Sequence, residues 1–340
     1  MLADRKNQHL DVVLSGRGTS QARTGFDDMA FEHVALPEIA MDEVDLSTRF
    51  LGKRIKAPLL VSSMTGGPAR AADINRNLAM ACQQLGLPLA IGSQRIAIEN
   101  RELAGLGAEL RRHAPDIALL GNFGAAQLNL GFGLDEAKRA VDMIGADGLI
   151  IHLNPLQEAV QPEGNPDWRG LLGHIETLAK ALPVPLVVKE VGAGISGQLA
   201  RRLFDAGVGV IDVAGAGGTS WARVEAERGS DARQAAIANA FFDWGIPTAR
   251  AIAEVRSACP DAFVIGSGGI RNGLDVAKAI RLGADMVGQA AGILEAATQS
   301  PEAVIECLSI TIEQLRIACF CTGSADLAAL RAARLQQSQR

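Results

Sequence analysis

The 340-residue sequence predicts an α/β fold class, a (β/α)8 TIM barrel with an N-terminal capping segment. Three observations carry this. Short, nearly all-apolar runs rich in Val, Ile and Leu recur, as expected of parallel strands covered on both faces. A stretch with helical spacing follows each run. Eight such units can be counted, the number that closes a barrel, and the length suits that fold with additions. An open doubly wound sheet would need fewer strands and a reversal of strand order.

The units run in order. "APLLVSSM" (57–64) leads to "ARAADINRNLAMACQQLG", and "PLAIGSQ" (88–94) to "ENRELAGLGAELRRHA". "IALLGNFG" (117–124) leads to "LDEAKRAVDMIG", and "GLIIHLN" (148–154) to "RGLLGHIETLAKAL". "PLVVKEV" (185–191) precedes "SGQLARRLFDAG"; "GVGVIDVAG" (207–215) precedes a longer loop and two helical stretches. "AFVIGSGG" (262–269) leads to "LDVAKAIRLG", and "ADMVGQA" (284–290) to a long helix over 301–320 that closes the barrel. Residues 1–50 read as a segment capping one mouth and covering the substrate, 51–325 as the barrel, and 326–340 as a tail.

The composition is that of a globular protein with a large core: 48% hydrophobic, 21% charged, mean hydropathy +0.15. A net charge of −5 and a pI near 5.6 argue against a nucleic-acid partner or an anionic membrane surface. No window approaches the ~18 apolar residues of a membrane span. The first residues lack the apolar core of a secretory signal, so a cytoplasmic protein is expected. Cys82, Cys259, Cys307, Cys319 and Cys321 form no C-x-x-C pair and read as small hydrophobes of a reduced protein. Trp168, Trp221 and Trp244 read as packing residues, with Trp221 also placed to wall a site. His33, His113 and His174 read as ordinary polar positions.

Barrel enzymes build their sites at the C-terminal ends of the strands. Polar residues gather there: Ser62 to Gly66, Ser93 to Arg95, Asn122, then His152, Asn154, Gln157 and Glu158. Lys189 and Glu190, Gly217 to Thr219, Gly266 to Arg271, and Gln289 to Gly292 complete the set. The opposite ends read as short and apolar, and that asymmetry argues for an enzyme. "GSGGIRNG" and "GQAAGI" are glycine-rich and open helices, so their N–H groups suit a phosphate. Arg271 beside them reads as support for that phosphate. Lys189 ends an apolar strand, where it needs a carboxylate partner such as Glu190 or faces the electron-rich edge of a bound ring. With Asn122 and "SSMTGG", these features describe a flavin mononucleotide (FMN) pocket.

"RKNQH", "SSMTGG", "GSQR", "HLNPLQEAVQPEG", "VVKEVGAGIS", "DVAGAGGTSW" and "SGGIRNGLDVAKAIRLGAD" together resemble the flavin-dependent type 2 isopentenyl-diphosphate isomerases, from about residue 5 to about 325. The spacing of "HLN", "QE" and "PEG" is the specific part, with the terminal "RK"; "SGGIR" is shared by many flavin barrels. The resemblance implies interconversion of isopentenyl and dimethylallyl diphosphate with reduced FMN, NADPH as reductant, Mg²⁺ and a homo-octamer. It implies Arg5, Lys6 and His9 at the substrate diphosphate, and Arg95 and Asn154 near the substrate. It implies Ser63, Met64, Thr65, Ser93, Asn122, Lys189, Thr219, Gly268, Gly269, Arg271, Ala291 and Gly292 at FMN, and Glu158 at the metal. Catalysis then falls to Gln157, His152 and Lys189. Gln157 positions or relays a proton, Lys189 stabilises the anionic ring, and His152 acts as a neutral hydrogen-bond donor or as general acid. Pro162 and Gly164 shape the loop; Glu163 has no assigned role.

Three other readings compete. A 2-hydroxy-acid oxidase needs a histidine base and arginines at strand ends six and seven, yet "DVAGAGGTSW" has neither until Arg223. An inosinate-type dehydrogenase needs a loop cysteine. A non-catalytic flavin- or phosphate-binding barrel would not need the substrate-end residues.

Overall fold

The computed structural model describes residues 2–64, 69–99, 106–229 and 231–337. Eight parallel strands close the expected barrel: β1 (Leu59–Val61), β2 (Leu89–Ala90), β3 (Leu119–Gly124), β4 (Gly148–Leu153), β5 (Leu186–Glu190), β6 (Val210–Asp212), β7 (Phe263–Ser267) and β8 (Met286–Gln289). Each pairs with the next in sequence, and β8 pairs with β1. Every strand lies inside its expected apolar run. The 301–320 helix spans Pro301–Cys321, with Ser300 capping its N-terminus.

The period-2 alternation of a strand sorts the side chains. Leu59, Val61, Leu89, Leu119, Leu149, Ile151, Val188, Ile211 and Val264 belong to the large core shared with the helices. Leu60, Ala90, Leu120, Ile150, Val187, Val210, Ile265 and Met286 form a separate cluster inside the barrel. Two residues further along stand Ser62, Gly92, Asn122, His152, Lys189, Asp212, Ser267 and Gly288. The same parity that buries the apolar layer therefore stacks a polar layer on it, toward the C-terminal mouth. Gly288 shows how closely that layer packs: a Cβ there would lie 2.4 Å from the Ser62 hydroxyl.

The first fifty residues do not all cap one mouth. Helix α1 (Leu2–Leu14) lies at the C-terminal end, where the Lys6 ammonium donates to the Ser93 carbonyl at 3.3 Å. Residues 48–55 form an antiparallel hairpin, Thr48–Phe50 with Lys53–Ile55, that straddles the boundary at 50. Its tight turn places Leu51 and Gly52 at φ 47° and 78°, and Phe50 and Ile55 enter the inner apolar cluster. The hydrophobic effect drives these two side chains into the barrel, so the hairpin plugs it. Residues 335–337 of the tail pair antiparallel with Met29–Phe31.

Charged groups also appear at the strand starts, contrary to the expected apolar base. The Arg111 guanidinium donates to the carbonyls of Ala114, Ile117 and Gly145 and to Asp147 at 2.7 Å. Asp147 in turn accepts the Leu119 N–H. Four strands on, Arg256 makes the same set with Pro260, Ala262, Gly283 and Asp285, and Asp285 accepts the Val264 N–H. Lys53 of the hairpin adds a bridge to Asp147, and Arg331 near the C-terminus adds one to Asp285, each at 3.0 Å.

Candidate active site at the C-terminal mouth

The polar layer forms the floor. The Asn122 side chain is buried; its nitrogen donates to the Ile91 carbonyl at 3.1 Å and its oxygen lies 2.8 Å from His152 Nδ1. With the amide nitrogen held by Ile91, His152 Nδ1 is the donor, and Nε2 is left with a lone pair. Burial, Lys189 and Lys6 push the His152 pKa down to about 3, so the ring is neutral. This alters both expected roles. The ring has no proton to lend as a general acid, and its one N–H is held by Asn122, so His152 offers Nε2 as an acceptor. Asn122, expected at FMN, has its amide engaged in orienting that ring. Neighbouring Gln94 is structural, bonded to the Asn122 N–H and the Ala140 carbonyl.

Lys189 lies between His152 and Asp212 in the ladder. Its ammonium donates to the Glu190 carbonyl at 2.7 Å, not to the Glu190 carboxylate. That carboxylate accepts the N–H groups of Val191, Gly192 and Ala193 at 2.6, 2.7 and 2.5 Å. Burial nevertheless raises its pKa against those donors.

One wall is built by α2 (Pro155–Val160), which starts because Asn154 leaves the strand geometry and Pro155 suits the first helical position. The Asn154 nitrogen donates to Gln157 at 3.1 Å and to Glu158 at 3.0 Å, and the Asn165 N–H donates to Glu158 at 2.7 Å. The Gln157 amide donates to Glu225 at 2.9 Å. Glu225 is 2% exposed on α3 (Trp221–Arg228). It meets Arg228 at 2.9 Å and His9 at 3.0 Å, and Arg228 reaches Glu163 at 3.0 Å. Burial opposes its charge, yet His9, Gln157 and Arg228 together hold its pKa below the usual carboxylate value. Glu163 thus acquires a role, as the outer anchor of Arg228.

Helix α1 supplies the roof. His9 stacks edge-on against Trp221, with ring centroids 5.2 Å apart. With the Gln161 amide facing Glu225 through its nitrogen, its oxygen accepts from Arg5 at 2.9 Å. Burial first, then Arg5 and Arg95, push the Lys6 pKa down to about 8; Glu99 opposes them. Arg95 also pairs with Glu99 at 3.0 Å. Arg5, Lys6 and Arg95 are therefore a cluster of like charges, the property expected of an anion site.

The β7 and β8 loops suit a phosphate. Gly268 and Gly269 hold φ of 107° and 67°, which frees successive N–H groups to face outward. The Thr248 hydroxyl pins the Gly268 carbonyl at 2.7 Å. Helix α4 (Ala291–Gln299) starts with no side-chain cap, and a Cβ on Gly292 would meet nothing within 4 Å. Arg271 stands exposed at the outer end of its loop, its N–H bonded to Asp275. Thr219 is half-buried and bridges Thr19. The hydroxyls of Ser62 and Ser63 and the Gln289 oxygen are buried without a hydrogen-bond partner in the protein, as fits a floor made to hold a polar ring. Met64 packs on the core beside them, and Thr65 lies outside the described residues.

For a metal, no group of three or more His, Cys, Asp or Glu side chains is assembled among the described residues. Glu158 alone fits Mg²⁺, which takes one or two carboxylates with phosphate oxygens and water. Trp168 donates to the Asn165 carbonyl and packs on the core, but Trp244 is 64% exposed and is not a packing residue.

Sequence reasoning missed Glu225, Arg228, Gln161 and Asp212. "WARVEAER" falls within the longer loop expected after strand six, whereas it forms helix α3. The available signal was the i, i+4 spacing of Trp221 and Glu225, which puts them on one face.

The sequence profile of the FMN-dependent dehydrogenase family matches residues 13–101 and 154–337. Relatives called isopentenyl-diphosphate delta-isomerase include one from Stutzerimonas stutzeri, 64% identical over 99% of this chain and 97% of its own. Another from Xanthobacter autotrophicus is 62% identical over 96% and 95%, and one from a Nostoc species 48% identical over 96% and 93%. Among solved structures, a mandelate oxidase aligns at TM-score 0.67 and 20% identity over 99% of this chain and 98% of that one. A flavocytochrome b2 aligns at 0.71 and 20% over 97% and 83%. These last two show the shared barrel alone. Among the described residues no helix is long and apolar enough to cross a membrane. With near-full-length identity to its named relatives and a flavoenzyme profile over most of its length, the chain belongs to the FMN-dependent, type 2 isopentenyl-diphosphate delta-isomerase family.

Proposed function

We propose that the protein interconverts isopentenyl diphosphate and dimethylallyl diphosphate in isoprenoid biosynthesis, using reduced FMN, NADPH as reductant and Mg²⁺. The observation that carries the substrate half is the cluster of Arg5, Lys6 and Arg95 over the mouth, with Lys6 lowered to about 8 by burial and its cationic neighbours. A diphosphate relieves that repulsion. The cationic cluster lies on one side of the site and the glycine loops of β7 and β8 on another, so substrate diphosphate and cofactor phosphate have separate seats.

The reaction moves a proton between carbons without net redox change. A C=C bond is barely basic, and the electron-poor species formed on protonation reacts with water, so the pocket must be dry. When bound, reduced FMN supplies a weak acid and a ring able to carry negative charge. Helix α1 covers the reacting end and excludes water, held by His9 against Trp221 and Glu225. Gln157 presents an amide fixed on both sides, its oxygen by Asn154 and its nitrogen by Glu225, so it positions a proton at a defined place. His152 accepts through Nε2 and stays neutral. Lys189 supplies the fixed positive charge of the floor, and Glu158, steadied by Asn154 and Asn165, is the proposed magnesium ligand. The cytoplasmic setting rests on the free state of all five cysteines, and the homo-octamer on the family resemblance.

The test is anaerobic incubation of the FMN-bound protein with isopentenyl diphosphate, Mg²⁺ and NADPH. Dimethylallyl diphosphate is expected. Its absence from protein that has bound FMN would overturn the proposal, and lactate oxidation under air would favour the 2-hydroxy-acid oxidase reading.

A further inference from the structure

Asp212 is 1% exposed and belongs to the polar floor, yet it has no part in the proposed reaction. It pairs directly with Lys189 in the β5–β6 ladder, and both face inward by the parity of their strands. Strands in a sheet stand about 5 Å apart, so the two side chains rise from adjacent strands onto the same floor. They do not touch: no direct ion pair joins them, and the Lys189 charge acts on Asp212 through space, favouring its ionised form, as do Ser267 and the Ala214 N–H, against the burial that raises its pKa. One carboxylate oxygen meets the Ser267 hydroxyl at 2.5 Å and the Ala214 N–H at 3.3 Å. The other is buried without a hydrogen-bond partner in the protein. The Lys189 ammonium has three hydrogens, and Glu190 takes one of them through its carbonyl. The groups around the pair are the neutral His152, Ser267 and the Glu190 carboxylate, which its own loop N–H groups hold.

From this juxtaposition we infer that Asp212 is a positioning residue for the charge of the floor: a carboxylate fixed on the strand beside Lys189 that offsets the lysine's positive charge through space and thereby sets the charge and proton affinity of the ring above them. The inference rests on the FMN reading. An unopposed cation would favour the anionic ring strongly and hold it there. A tempered charge would leave the bound ring's proton affinity closer to that of the free cofactor. Asp212 supplies the opposing charge, and Ser267 orients it.

The experiment uses the FMN-bound full chain. The midpoint potential of the bound flavin and the apparent pKa of its reduced form are measured in the wild type, Asp212→Asn, Ser267→Ala and Lys189→Met. Asp212→Asn is expected to shift the potential positive and lower the reduced-flavin pKa. Ser267→Ala is expected to shift both in the same direction by less, and Lys189→Met to shift both the opposite way. Opposite signs from the two partners are a result that loosened packing does not produce. Unchanged potential and pKa in FMN-bound Asp212→Asn overturn the inference. If Asp212→Asn retains no FMN, Ser267→Ala decides alone, and no shift there overturns it. A wild-type protein that binds no FMN removes the flavin reading itself, and this inference with it.

Discussion

At the base of the barrel, Asp147 and Asp285 each meet an arginine, a second cation and a strand N–H, and each arginine saturates a set of loop carbonyls. At the mouth, three cations crowd together, a buried carboxylate oxygen of Asp212 has no partner, and three further buried oxygens of Ser62, Ser63 and Gln289 have none. Both ends are polar, so polarity alone does not mark the site. What differs is satisfaction. A satisfied buried network holds a fold together; an unsatisfied one persists only where something outside the chain completes it. The base clamp occurs twice, four strands apart, and each copy fastens one added segment: Lys53 brings the hairpin plug, Arg331 the C-terminal helix. Among the described residues the mouth shows no such duplication.

The contrast makes graded predictions. The largest effect belongs to Gln157→Ala, which removes the amide held between Asn154 and Glu225. Turnover is expected to fall by about 10²–10⁴-fold with the melting temperature little changed. A variant with full turnover would place the proton chemistry elsewhere. Lys6→Ala comes next, with kcat/KM falling roughly 10- to 150-fold through the loss of one charge-assisted contact of about 1.5–3 kcal/mol. Its pH signature has a definite sign. Lys6 in the free enzyme loses its proton as pH rises through about 8, so kcat/KM is expected to fall above that pH. Lys6→Arg keeps the charge and should abolish that limb. His152, at about 3, contributes no limb between pH 5 and 8.

A third variant, Asn154→Ala, releases Glu158 and is expected to raise the half-saturating Mg²⁺ concentration about 10- to 100-fold. An unchanged Mg²⁺ dependence would remove Glu158 from the metal's surroundings. The smallest effect on chemistry is expected at the base. Arg256→Ala strands three carbonyls and Asp285, which should lower stability by about 1–3 kcal/mol in denaturant titration and leave kcat within roughly twofold. A large loss of kcat there, with stability intact, would break the division between the two ends.

Much of this was legible in the linear chain. All eight strands fall within apolar runs, because a parallel strand buried on both faces needs apolar residues at every position. The mouth residues were legible from their place at strand ends and from "HLNPLQEAVQPEG", whose residues are brought together by one strand and one short helix. The misses share a cause. Glu225 contacts Gln157, His9 and Arg228, and two of these lie far away in sequence. The first strand of the hairpin plug reads as part of a cap because "RFLGKRI" carries no mark of which end it enters. The base clamps are invisible in the linear chain, because the arginine partners of Asp147 and Asp285 lie 36 and 29 positions away.

The sequence by itself determined the barrel, the strand ends that line its mouth and the family. Local apolar period and strand-end position are properties of short stretches of chain, and both fix which side chains face inward. Tertiary structure alone decided which charges are matched. Whether His152 carries a proton, whether Lys189 meets a carboxylate or a carbonyl, and whether Glu225 is buried all depend on desolvation and on neighbours from distant strands. Those are properties of three-dimensional proximity and local dielectric, which no short stretch of sequence specifies.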